Sequence, residues 1–104
     1  MENVRERKIN AFLEGLAQRY SNAKQEWKAD RRNPFKDGRF LAYYEIRETV
    51  LKRIEEESFS ELFNEIAGKF AAVKREWIAD RRNLFKDGRL LAYFEVLKLI
   101  SDPV

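Results

Sequence analysis

"KADRRNPFKDGR" (Lys28–Arg39) recurs fifty residues later as "IADRRNLFKDGR" (Ile78–Arg89), identical at ten of twelve positions. Working outward, Lys24–Glu45 and Lys74–Glu95 agree at 17 of 22 positions. Beyond that window the likeness is one of type: Leu16 with Ile66, Tyr20 with Phe70, Ile46 with Val96. A repeat of period fifty present twice is too short for a solenoid, which needs three or more units. It suits a closed unit made of two similar halves.

Each half reads as helix, short loop, helix. Ile9, Phe12, Leu13, Leu16, Tyr20, Ala23 and Trp27 keep helical spacing, and so do Leu62, Phe63, Ile66, Phe70, Val73 and Trp77. Asn3 with Glu6 and Ser58 with Glu61 have the spacing of capping boxes. Ser101-Asp102-Pro103 ends the last periodic run. No stretch alternates with period two. The expected helices are roughly 4–32, 38–56, 59–82 and 88–101, estimated from these start and stop signals. Short connections favour antiparallel neighbours. One hairpin cannot bury its apolar stripe alone, but two can bury theirs together. The expected fold is all-α: a tandem duplication of a ~50-residue helical hairpin closed into a four-helix up-down bundle. Residues 1–104 then form a single domain, with hairpins at 9–58 and 59–104.

The recurring segment has a structural reading. Arg31 and Arg32 suit the last turn of a helix, where cations meet the negative end of the dipole. Asn33 suits the residue that terminates it. Phe35 and Phe85 plug the end of the core, Asp37 and Asp87 cap the next helix, and Gly38 and Gly88 permit a close turn. Residues equally far from the loop of a hairpin lie level, which pairs Asp30 with Arg39, Lys24 with Glu45, Asp80 with Arg89 and Lys74 with Glu95. Glu95 stands in the nearly all-apolar "LLAYFEVLKLI" and needs a cationic partner. Arg31 and Arg81, four residues beyond Trp27 and Trp77, can lie over their rings.

Composition narrows the functions. The chain has no Cys and no His, so thiolate chemistry, Cys-ligated zinc and imidazole catalysis are excluded. No Gly-rich phosphate loop is present, and no Ser has a nucleophile's context. No catalytic residue, metal or cofactor is expected. No apolar run reaches membrane-span length, the N-terminus does not resemble a secretory signal, and a cytoplasmic protein is expected. Two binding readings remain. The first is a non-catalytic protein-interaction module, with homodimerisation as the natural use of an apolar face at Ile78, Leu97 and Leu99, where the first half has Lys28, Arg47 and Thr49. The second is binding of nucleic acid or another polyanion. An up-down bundle gathers both loops at one end, with Arg31, Arg32, Lys36, Arg39, Arg81, Arg82, Lys86 and Arg89. Less Asp30, Asp37, Asp80 and Asp87, these leave a local charge of +4, against +3 for the whole chain.

Overall fold

The computed structural model describes residues 4–54 and 59–101. They form α1 (Val4–Ala29), α2 (Pro34–Arg53), α3 (Phe59–Ala79) and α4 (Leu84–Ser101). The capping boxes at Asn3 and Ser58 and the stop at Asp102-Pro103 lie outside the described residues.

Both hairpin loops start and end earlier than the sequence suggests. Asn33 does not terminate α1 but caps α2. It is extended (φ −92°, ψ 108°), and its side chain accepts from the Lys36 backbone N–H at 3.2 Å. Asn83 accepts from Lys86 in the same way at 3.1 Å. Pro34 then occupies the first turn of α2, where no backbone donor is required. Asp37 and Asp87 are therefore inside the first turns of α2 and α4 rather than caps. Arg31 and Arg32 leave the helix altogether. The Asn33 N–H donates to the Asp30 carbonyl at 3.2 Å, closing a β-turn with the two arginines at its centre, and Asn83 and Asp80 repeat this at 3.2 Å.

α1 packs on α2 and α3 on α4, so each short loop joins two neighbouring helices. The most extensive contact, however, is between α2 and α4, which form the middle of the molecule. Gly38 and Gly88 make that contact possible. They are not turn residues but buried positions within α2 and α4. A Cβ on Gly38 would stand 2.0 Å from the Phe85 carbonyl oxygen, and one on Gly88 2.0 Å from that of Phe35. Each glycine thus rests against the backbone of the opposite helix's first turn. Both hairpin loops consequently lie at the same end.

The core follows the same plan. Phe12, Leu16, Ala23, Ala42, Tyr43, Ile46 and Val50 are buried, and so are Leu62, Ile66, Val73, Ala92, Tyr93, Val96 and Ile100, fifty residues on. Corresponding faces of the two halves are turned toward each other. Leu99 alone among the buried apolar residues lacks a buried counterpart, since Thr49 is only half-buried. A Cβ on Gly15 of α1 would stand 3.0 Å from Leu99 Cδ1, so Leu99 packs where α1 meets α4. The corresponding meeting of α3 with α2 is polar: Lys69 donates to the Thr49 hydroxyl at 3.1 Å, and Arg53 pairs with Glu65 at 3.7 Å.

Candidate functional site

The ion pairs at the α2/α4 contact cross from one half to the other. Arg39 donates to Glu95 through Nε at 3.2 Å and Nη2 at 3.4 Å, and to Glu26 through Nη1 at 3.0 Å. Arg89 mirrors it, donating through Nη2 to both oxygens of Glu45 at 3.1 and 3.2 Å and through Nη1 to Glu76 at 3.3 Å. The within-hairpin pairs expected from sequence are replaced. Asp30 pairs with Lys36 and Asp80 with Lys86, each at 3.5 Å, while Glu45 and Glu95 are held by Arg89 and Arg39 rather than by Lys24 and Lys74. The reason is the close approach at Gly38 and Gly88. It brings each guanidinium nearer to the carboxylate of the other central helix than to the aspartate of its own loop.

Two tyrosines complete these clusters. The Tyr43 hydroxyl donates to Glu95 Oε1 at 3.1 Å. Burial first, and then the Glu95 charge, push its pKa well above the ordinary tyrosine value. Tyr93 is pushed up to about 12 by burial and by Glu45, with Arg89 opposing. For Arg39, burial works against the charged form, but the hydrogen bond and charge of Glu95 outweigh it and hold the pKa above its usual value. Each cluster is a neutral phenol beside a guanidinium that two carboxylates hold, although the Nε of Arg89 is buried without a partner among the described residues. That arrangement fixes two helices together and leaves little free acid or base. Among the described residues, no three acidic groups converge in a way that could hold a metal ion.

The eight loop cations therefore divide. Lys36, Arg39, Lys86 and Arg89 are paired as above. Glu26, Glu45, Glu76 and Glu95 add four carboxylates to the four aspartates, but Lys24, Lys28, Lys74 and Arg75 add four cations, so residues 24–45 and 74–95 set twelve cations against eight carboxylates and the balance stays at +4. Arg31 and Arg81 lie over Trp27 and Trp77, both 5.0 Å from the ring centre. Arg32 and Arg82 are exposed at the turn tips.

The apolar face named from sequence does not form. Ile78 is exposed, but Leu97 packs against the core and Leu99 is buried beside α1. Both residues serve the packing of α4, a central helix. Its exposed apolar residues are instead Leu84 in the first turn and, farther along, Leu91 and Phe94, the last 54% accessible. Leu91 and Phe94 border a cleft of about 370 Å³ between α3 and α4, whose lining also includes Phe35, Phe70, Trp77 and Leu90, with Lys74 and Asp87. Asp87 accepts from Trp77 Nε1 at 2.7 Å, which anchors the indole.

This cleft traces to one difference between the halves. In the first half, Phe40 stacks on Trp27 with centroids 4.8 Å apart and meets Tyr20 at 5.7 Å. In the second half, Trp77 and Phe70 keep the two aromatic positions, but Leu90 replaces the ring between them. The signal was present in the alignment of the halves, yet only the stacking of Phe40 shows what the substitution removes.

No protein-family model, no curated protein and no solved structure matches this chain.

Proposed function

We propose that the chain is a tandem duplication of a helical hairpin closed into a four-helix up-down bundle, and that it works as a non-catalytic protein-interaction module. The observation that carries the functional part is the cleft between α3 and α4. Its lining is almost wholly apolar, and Leu91 and Phe94 stand exposed at its border. Exposed aromatic and leucine side chains beside a concave apolar site have the character of an interface core. Two features favour binding over chemistry. The carboxylates that could act as acids or bases are tied to guanidiniums, and the tyrosines are held protonated beyond neutral pH. The fifty-residue relation of the buried positions supports the duplication, because it gives each half the same inward face. We place the protein's action in the cytoplasm. Among the described residues, no helix is long and apolar enough to cross a membrane.

Photo-crosslinking tests this reading. A benzophenone amino acid is placed at position 94 in the living source cell, and at position 72, an exposed site on α3, as the control. A discrete protein adduct from position 94 and none from position 72 is the expected result. Its mass separates a second copy of the chain from a different protein. Equal background labelling from both positions would remove the proposal.

A further inference from the structure

We propose that the end of the molecule formed by the two Asp-Arg-Arg-Asn turns binds the phosphate backbone of double-stranded nucleic acid, independently of the cleft on α4. Arg31, Arg32, Arg81 and Arg82 carry the argument. Each pair occupies the centre of a β-turn closed by an Asn N–H on an Asp carbonyl at 3.2 Å. All four side chains are exposed, and among the described residues no carboxylate pairs with any of them.

The neighbouring charges explain why these four stay available. The turn aspartates, which would otherwise neutralise them, are engaged elsewhere. Asp30 accepts from Asn33 Nδ2 at 3.3 Å and pairs with Lys36, while Asp80 accepts from Asn83 Nδ2 at 3.2 Å and pairs with Lys86. The glutamates of the region are held by Arg39 and Arg89 along the α2/α4 contact. These aspartates and glutamates are thus engaged behind the turns, and guanidiniums with no carboxylate partner among the described residues are left at the tips. Residues 24–45 and 74–95 keep a balance of +4, twelve cations against eight carboxylates.

Two of the guanidiniums are also preoriented. Arg31 and Arg81 rest 5.0 Å from the centres of Trp27 and Trp77, which restricts a side chain that would otherwise lose rotamer freedom on binding. Helix dipoles do not decide the matter, because this end combines the starts of α2 and α4 with the ends of α1 and α3.

The choice of a duplex over a single strand rests on the pairing of the two turns. Gly38 touches the first turn of α4 and Gly88 that of α2, which brings the two loops together at one end. The same two-arginine tip is then presented twice by equivalent elements. A duplex offers phosphates on two strands related by two-fold axes, which a doubled protein surface can match. Guanidinium is the side chain best suited to phosphate geometry.

Fluorescence anisotropy of labelled mixed-sequence duplex DNA tests the proposal. Four phosphate contacts correspond to a slope of log K on log salt near −3.6, so affinity should fall on the order of 100-fold between about 50 and about 200 mM salt. Arg32→Glu with Arg82→Glu should lower low-salt affinity by more than about tenfold, since two contacts become repulsions. Arg7→Glu with Lys8→Glu changes the net charge equally at exposed sites on the first turns of α1, and should change affinity far less. Should the glutamate pair alter the circular-dichroism melt, Arg32→Gln with Arg82→Gln repeats the comparison. No binding at the lowest salt, equal losses from turn and control variants, or tighter binding of single strands than of duplex would each overturn the proposal.

Discussion

Replacing Gly38 by alanine tests the packing of α2 on α4 more sharply than any core truncation. In an isolated helix the change is favourable by about 1 kcal/mol, because alanine is the better helix former. Here the new methyl would stand 2.0 Å from the Phe85 carbonyl oxygen and 2.8 Å from its carbon, whereas ordinary contact begins at 3.4 Å. The obstacle is backbone, so no rotamer change relieves it. α2 and α4 must move apart by more than an ångström along their tightest contact. Overpacking of this kind costs about 1–3 kcal/mol, and more when backbones must shift. The same movement stretches the Arg39–Glu95 and Arg89–Glu45 pairs. The net expectation is a loss of about 2 kcal/mol, which for a chain of this size lowers Tm by roughly 8–16 °C. Gly88→Ala should behave alike, since its Cβ would meet the Phe35 oxygen at 2.0 Å. Gly68 is the internal control: it is helical and nothing lies within 4 Å of its Cβ position, so Gly68→Ala should stabilise by about 0.5–1 kcal/mol. Urea unfolding followed by circular dichroism measures all three. If Gly38→Ala and Gly88→Ala match Gly68→Ala in sign, the close approach of the central helices is refuted.

Other expectations concern the same contact and the cleft. A double-mutant cycle on Arg39→Ala and Glu95→Ala should give a coupling of about 1–2 kcal/mol, whereas the cycle on Arg39 and Asp30 should give none; the reverse order would restore within-hairpin pairing. Tyr93 should titrate near pH 12 by ultraviolet absorbance, and Tyr43 later than an ordinary tyrosine. Because folding raises these pKa values, the native state holds the phenolic protons longer than the unfolded chain. Stability should therefore be unaffected by them below about pH 10 and fall as pH rises from about 10 toward 12, and the Tyr93→Phe variant should lose part of that fall. Leu99→Thr, which copies the first half's residue into a buried site beside Gly15, should cost about 1–3 kcal/mol in the same unfolding assay, with no loss meaning that α1 does not depend on it.

The all-helical class is legible in the sequence because helical spacing survives every ambiguity about ends. The misreadings share one cause, which is that several residues have two good roles. Asn33 suits either the end of one helix or the start of the next, and Pro34 decides between them only when it is read as a first-turn residue rather than a breaker. Gly38 follows an aspartate and resembles a turn, but its role is set by the opposite helix, which no local pattern reveals. Charge partners depend on the opposite helix too: level positions within a hairpin point to Asp30 with Arg39 and Asp80 with Arg89, whereas Arg39 and Arg89 reach across to Glu95 and Glu45 of the other half. The apolar residues at positions 97 and 99 signalled burial rather than exposure, since Leu99 fills the space that Gly15 leaves. The cleft lies at a quieter difference, Leu90 for Phe40, whose meaning depends on the stack with Trp27 and Tyr20.

Leu90→Phe tests the functional claim most directly, because it should strengthen the protein and disable it at once. The new ring restores the arrangement of the first half, filling the cleft between Phe70 and Trp77. Stability should rise by about 0.5–1.5 kcal/mol, the worth of an aromatic pair beyond its area. The measurement is the affinity of the partner identified by crosslinking at position 94, titrated against the wild-type protein and the Leu90→Phe variant. The cleft reading predicts a folded, more stable variant that binds at least about tenfold more weakly, corresponding to 1.4 kcal/mol. Unchanged affinity in a variant of normal or raised stability would contradict it.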